Sequence, residues 1–349
     1  MTPHLIPGHM ADGTPILSVL GKETFDLVPG EVLTYADEEI PFRESDDALE
    51  SDLVAFKPLT DVILTGSVFA PRGKQALHMN VGVTVNGASF GVRVFGDRKA
   101  LVQGSSVRFS DPVPFESVPI ELSRCYGGMD STTRPQEPMV FQPNPQGTGF
   151  LVSGTDSVME VRLPNFEDPA RVLTPDTFLV KSFERWREAP MPASLGPLPR
   201  TTWPRCSLAG MSPDQAVDQE IERRKRIQSM PEVGAGPGTF PPSAPPILNP
   251  EYHQCAPRGL QFPLLNGSES ITLHYFHPDH PSWQFQLPGG PPTAWLDTGR
   301  GADSMRMVLQ TVEIRPDLGK IALTWRGSVY YGGPEAMRNF TRLEYGIDE

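Results

Sequence analysis

Prolines are spread so densely through this chain that long helices and long central strands have few places to form. There are 39 of them in 349 residues, about twice the usual share of roughly 5%. Proline has no amide donor and a fixed φ, so it breaks helix interiors and is confined to edges, first positions and bulges of sheets. The composition therefore predicts many short strands joined by rigid loops. Apolar residues make up 38%, and the 32 glycines bring the chain into the ordinary globular range, which counts glycine as apolar. A chain of this length buries a sizeable core, enough for one large β domain or two moderate ones.

The strand signals agree with that reading. Residues 62–70 are an extended apolar run closed by Pro71 and Gly73, with Lys57 and Asp61 at its mouth. Residues 79–85 and 88–95 flank Asn86-Gly87, the strongest short-range hairpin signal, because both turn residues tolerate positive φ. Residues 16–20 and 24–28 read as an opening strand pair around Gly21, and 158–163 regain strand character. Residues 271–276 and 283–287 alternate apolar and polar side chains, and 305–314 with 321–325 read as a hairpin around a type I turn at Pro316. One helix is predicted near 213–230. Ser212 and Pro213 open it as a capping box with proline at the first helical position, and Pro231 stops it. Residues 232–250 form a proline-rich arm.

The fold class expected is all-β, sandwich or barrel-like, with many short antiparallel strands. Three parts are expected: an N-terminal β block over 1–205, the helix and arm over 206–258, and a C-terminal β block over 259–349 packed on the first.

The formal net charge is −12, which disfavours a phosphate backbone as partner. Much of the acid precedes the first core strand, at Glu31, Asp37, Glu38, Glu39, Glu44, Asp46, Asp47, Glu50 and Asp52. A solvated loop is the plain reading, and a docking surface for a basic partner the sharper one. Cys125, Cys206 and Cys255 are odd in number and widely spaced. They suggest neither a disulfide framework nor a metal site, and so a reducing cytoplasm. The N-terminal residues have no signal-peptide pattern. No apolar run approaches the ~20 residues that span a bilayer, so no membrane association is expected.

The chemistry-bearing residues do not assemble into a catalytic motif. His274, His277 and His280 are spaced by three with Pro278 and Pro281 among them, whereas helical zinc sites place two histidines one full turn apart. A polar loop capping a β block is the better reading. Arg93, Asp97, Arg98, Arg124 and Asp130 resemble an anion or sugar site, yet arginines bracing loops through carboxylates are the better account of them. There is no nucleophile elbow and no phosphate-cradling glycine loop. His253 beside Cys255 leaves a Cys–His pair open, though buried inert cysteine is commoner. Trp186 between Arg185 and Arg187 reads as a packing residue. No cofactor and no metal are expected.

The same residues carry a resemblance. Lys57-Pro-x-x-Asp61, Arg93-Val-Phe-Gly-Asp97-Arg98, Arg124-x-Tyr126-Gly-Gly-x-Asp130, Asn144-Pro-x-Gly-x-Gly, Leu163-Pro-Asn165-x-Glu167, Trp203-Pro-Arg205 and Ile321-Ala-Leu-Thr-Trp325-Arg326-Gly327 occur in that order. The ordered set resembles the bacterial family named domain of unknown function 2169, from about Gly21 to Gly327. That resemblance implies a non-catalytic adaptor or chaperone that binds a type VI secretion effector and helps load it on the spike. Lys57, Asp61, Arg93, Asp97, Arg98, Arg124, Tyr126, Asp130, Asn144, Asn165, Glu167, Trp203 and Arg205 become candidates for partner binding or for motif loops. Residues 211–250 do not map onto the family pattern and could be a partner-specific arm. The alternative is a carbohydrate-acting hydrolase using a carboxylate pair drawn from Asp61, Asp97, Asp130 and Glu167. A structural component of a larger machine is a third reading.

Overall fold

The computed structural model describes residues 3–9, 15–43, 52–133, 135–181, 185, 188–198, 250–297, 302–330 and 342–346. The expected helix near 213–230, the proline-rich arm, Trp186, Trp203, Arg205 and Cys206 lie outside them.

The described residues form an all-β protein of many short sheets, and no barrel closes among them. The largest sheet runs His4–His9, Pro15–Asp26, Lys320–Tyr330, Val308–Arg315, Thr60–Leu64 and Gln261–Phe262, with Thr34–Tyr35 paired on Pro15–Asp26. Its neighbours are antiparallel except Val308–Arg315 beside Thr60–Leu64, which are parallel. A five-stranded sheet runs Phe166–Glu167, Ala88–Phe95, His78–Val85, Ser270–His274 and Ser282–Gln286. Each of these sheets therefore combines strands from both halves of the sequence.

One hydrophobic core joins the two, with Val19, Val62, Leu64, Val312, Leu323 and Trp325 from the large sheet and Val81, Val83, Val92, Ile271 and Leu273 from the other. A second core, including Ala100, Val102, Tyr126, Phe141, Phe150, Leu163 and Phe178, lies under a three-stranded sheet of Met159–Arg162, Lys99–Gln103 and Ser106–Phe109. The described α-helix is one turn, Pro175–Phe178, closed by a Thr174–Thr177 capping box.

The Asn86-Gly87 hairpin forms as expected, with φ of 46° and 85° and Val85 opposite Ala88. Ser270–His274 and Ser282–Gln286 pair in register, and Val308–Arg315 pairs with Lys320–Tyr330 across one bulge. Three expectations are corrected. Residues 15–26 are one continuous strand, paired along its whole length with Lys320–Tyr330. Gly21 makes no turn; it lies within the ladder, paired with Trp325. The run 62–70 is in turn broken in two. Gly66, at φ +99°, bends the chain so that Ser67–Phe69 pairs with Ser117–Pro119 in a different sheet. The turn at Pro316 is a 3-10 turn ended by Gly319 in the left-handed conformation.

The large sheet is two-faced in a way that sets up everything below. Successive side chains point to opposite faces. The register puts Ser18, Lys22 and Thr24 on the same side as Thr324, Arg326 and Ser328, and as Thr311, Glu313 and Asp61. The opposite side carries the apolar core. The polar side is buried too, because the chain before Thr60 and the segment around Cys255 lie across it. Ser18 Oγ donates to the Ala55 carbonyl at 2.6 Å, and Asp61 accepts from the Cys255 and Ala256 amides at 2.9 and 3.1 Å. Gln310 is the extra residue of a bulge between Leu309 and Thr311, and its Nε2 reaches the carbonyls of Asp52 and Val54, each at 3.4 Å. Among the described residues no helix is long and apolar enough to cross a membrane.

Candidate functional site

Lys57 and Asp61 were expected at a charged rim, and that placement is corrected: they are 1% and 0% exposed. Asp61 sits on Thr60–Leu64, and Lys57 Nζ meets its Oδ2 at 2.9 Å. Gln254 Nε2 donates to Oδ1 at 2.7 Å, and Cys255 Sγ lies 3.2 Å from Oδ2. Lys57 also reaches Thr311 Oγ1 at 3.4 Å and Cys255 Sγ at 3.5 Å. Burial alone would raise the Asp61 pKa, but the Lys57 ammonium and the Cys255 amide outweigh it and hold the carboxyl below its usual range. This is a knot that ties residues 254–256 to the large sheet. All its acceptor positions face protein groups.

The remaining motif residues gather around the start of the three-stranded sheet, in neighbouring but separate arrangements. Arg98 pairs with Glu167 Oε1, donates to the Pro164 carbonyl at 3.2 Å and lies 3.6 Å over the Phe95 ring. The other Glu167 oxygen accepts from the Leu173 amide at 2.7 Å. Burial outweighs these attractions and leaves the Glu167 pKa above its usual value. Asn165 is the hinge of the next arrangement. Its Nδ2 donates to the Phe95 carbonyl and to Asp97 Oδ1, each at 3.0 Å, and its Oδ1 accepts from Arg124 at 3.1 Å. Asp97 is well exposed, with Arg124 and Arg162 at 3.6 and 3.5 Å. Arg93 Nε donates across the hairpin to Asn80 Oδ1 at 2.6 Å. Tyr126 is buried edge-on against Phe141, and burial pushes its phenol up.

Among the described residues, no arginine or lysine pairs with Asp130. Its oxygens accept from the Thr132, Thr133 and Val152 amides at 2.8, 3.1 and 3.0 Å and from the Thr132 and Thr133 hydroxyls at 2.7 and 2.5 Å. Burial raises its pKa, but these hydrogen bonds prevail and lower it. Asn144 Nδ2 donates to the Leu122 and Tyr126 carbonyls at 2.8 and 3.1 Å. Gly127 and Gly128 adopt φ of 150° and 100°, and a Cβ on Gly128 would stand 2.6 Å from the Gly147 carbonyl oxygen. Gly128→Ala is therefore expected to cost about 2–4 kcal/mol through backbone strain and displacement of this loop. Thermal unfolding of the variant measures it, and an unchanged Tm would refute the tight packing described.

Sequence reading missed the polar side of the large sheet. Lys22 Nζ donates to Asp52 Oδ2 at 2.7 Å, to Glu313 Oε2 at 3.1 Å and to the Pro41 carbonyl at 3.0 Å. Arg43 Nη2 donates to Asp52 Oδ1 at 2.7 Å, and Arg315 pairs with Glu313. Asp52 was counted in a solvated acidic loop; it is 1% exposed, which corrects that reading for this residue. Burial would raise Asp52, yet Lys22 and Arg43 hold it at about 2. Glu31, Asp37, Glu38 and Glu39 are exposed as expected, and residues 44–51 lie outside the described ones. The alternation of Ser18, Lys22 and Thr24 along an otherwise apolar strand was the available signal. On the apolar side, Glu23 accepts from Trp325 Nε1 at 2.7 Å and from Tyr35 Oη at 3.2 Å. Burial raises Glu23, and burial beside it pushes Tyr35 up to about 12.

His277 and His280 stack at 5.0 Å between ring centres, and the His277 Nδ1 accepts from the Asp279 amide at 3.1 Å. No group of three or more histidine, cysteine or acidic side chains is placed to hold a metal among the described residues. Cys125 and Cys255 are buried thiols. Burial pushes the Cys125 thiol up to about 12, away from nucleophilic chemistry.

The class these features define is an open all-β protein whose motif residues brace loops and strands from within. The sequence profile of a bacterial family described as "Uncharacterized protein conserved in bacteria (DUF2169)" matches residues 12–326. The chain belongs to that family. No curated protein matches it. No solved structure matches it either.

Proposed function

We propose that this chain is a non-catalytic adaptor or chaperone that binds a type VI secretion effector and helps load it on the spike complex. The family resemblance suggests the role, and one observation favours binding over catalysis. Each carboxylate considered for hydrolysis is already engaged. Asp61 is closed off by Lys57, Gln254 and two amides, Glu167 by Arg98 and the Leu173 amide, and Asp130 by two threonines and Val152. Asp97 is the exposed one of the four, and it is held by Asn165 and flanked by two arginines. A general acid or nucleophile needs an oxygen free to face its substrate. A scaffold for another polypeptide needs rigid loops, which these pairs supply. The edge strand Ser282–Gln286, with Ser282, Gln284 and Gln286 exposed, offers backbone groups to which a partner strand could add.

Co-expression with the products of neighbouring genes, followed by affinity capture of the tagged chain and size-exclusion chromatography, tests the role. A toxin-like neighbour should co-elute in a stable complex, and a spike protein should be able to displace or join it. If no neighbouring product and no spike protein is retained, the adaptor reading is wrong.

A further inference from the structure

Among the described residues, Arg326 is the one strongly buried cation on the polar side of the large sheet that lacks a carboxylate. It is 5% exposed, between Leu20 and Val308 on the flanking strands. Lys22 and Lys57, on the same side, each hold an acidic partner. Arg326 Nη1 donates to Ser328 Oγ at 2.7 Å, Nη2 reaches the Lys57 carbonyl only at 3.5 Å, and Nε has no partner. No carboxylate among the described residues lies in ion-pair range of it. Burial pushes its pKa down to about 10, with no neighbouring charge to offset that. The guanidinium still keeps its proton at neutral pH, and a buried charge left unpaired is costly.

The geometry of the free donors is informative. The less engaged edge of Arg326 is the Nε–Nη2 side, where Nε has no partner and Nη2 holds only the 3.5 Å contact to the Lys57 carbonyl; this is the fork that takes both oxygens of a carboxylate in parallel hydrogen bonds. Phe56 covers a face of the guanidinium at 4.6 Å, which leaves the in-plane donors as the ones available. Exposure also rises along the strand from Arg326. Residues 326, 328 and 330 share a face by the two-residue period, and exposure climbs along them from buried Arg326 through half-buried Ser328 to Tyr330 at 73%. Ala55 and Phe56, which lie over this end, are only half-buried. Ser18 Oγ stands 2.9 Å from Ser328 Oγ and adds a second hydroxyl beside the arginine.

We propose that Arg326, assisted by Ser328, is a binding site for a carboxylate group, entered past Tyr330 and covered by Phe56. This holds whether or not the adaptor role does. The carboxylate could belong to a free small acid or to a bound polypeptide, and both present the same two oxygens.

Thermal unfolding at constant ionic strength tests it on the full chain. The probes are sodium acetate against sodium chloride, acetamide as the neutral control, and acetyl-dialanine with a free carboxylate against its amide. Saturating acetate should raise Tm by about 2–4 °C, and acetamide and the peptide amide should not. Arg326→Met should abolish the rise. Arg326→Lys, which keeps the charge without the fork, should lose at least half of it and carries the comparison if the methionine variant does not fold. A larger rise with the peptide acid assigns the site to a polypeptide carboxylate, and a rise with acetate alone assigns it to a small acid. An acetate response equal in wild type and variants, or none in wild type, overturns the proposal.

Discussion

Asp61→Ala is expected to be among the most damaging single substitutions in this chain, costing about 3–5 kcal/mol of unfolding free energy. The change strands the Lys57 ammonium in a fully buried position, with only Thr311 Oγ1 at 3.4 Å and Cys255 Sγ at 3.5 Å to solvate it. It also removes the acceptor for Gln254 and for the amides of Cys255 and Ala256, and buried donors left unmade cost about 1–3 kcal/mol each before relaxation. A typical domain has only about 5–15 kcal/mol in total, so soluble yield should fall with stability. The urea midpoint followed by tryptophan fluorescence is the measurement. The double variant Lys57→Met with Asp61→Leu should recover much of the loss, because removing both charges together leaves neither one unpaired. A wild-type midpoint in the single variant would mean that water reaches this position and that the knot is not what holds residues 254–256 in place.

That knot also shows how far the sequence could be read. Lys57 and Asp61 stood out as a motif, but their spacing suggests a strand mouth, and nothing local says that residues 254–256 fold over them. Burial here is decided by a contact between residues nearly two hundred positions apart, and the expectation of a charged rim failed for that reason. Local signals did better. Asn86-Gly87 fixed its own hairpin because the turn chemistry is contained in two residues. Gly66 misled in the opposite direction, since a glycine inside an apolar run looks like a weak strand position until its left-handed backbone is seen. Glu167 and Arg98 were recognised as candidates, but their pairing depends on the register between Phe166–Glu167 and Ala88–Phe95. Lys22 and Glu313 were not recognised at all, and Asp52 only as part of an acidic loop. Each comes from a different part of the chain: the pairing of Pro15–Asp26 with Lys320–Tyr330, and of that strand with Val308–Arg315, brings Lys22 and Glu313 to one face, and the segment carrying Asp52 lies across it.

Lys22→Met is expected to carry the second large effect, again about 3–5 kcal/mol near neutral pH, because one ammonium serves two buried carboxylates. Its distinguishing feature is the pH dependence. Asp52 is held at about 2 in the folded chain, below its ordinary value of 3.8, and Glu313 is also lowered, by Lys22 and Arg43 acting against burial. A depressed carboxylate contributes stability that is present above its unfolded pKa and lost as pH falls through the folded one. For Asp52 that window runs from about pH 4 down to about pH 2, and the amount lost is on the order of 2 kcal/mol. Glu23 and Glu167, both raised, work in the other sense, but they are common to both proteins and cancel in the comparison. Without Lys22 the carboxyls of Asp52 and Glu313 sit nearer their ordinary values, so the variant has less to lose in acid. The gap in Tm between wild type and Lys22→Met should therefore be widest near pH 7 and narrow steadily below pH 4. At pH 2.5 much of that window has been crossed, yet Asp52, held at about 2, is still partly ionised, so the gap should be smaller than at pH 7 and not closed. A gap that stays constant from pH 7 to pH 2.5 would show that the cost of the substitution is lost packing of the lysine stem, and that the ion pairs across the polar face contribute little.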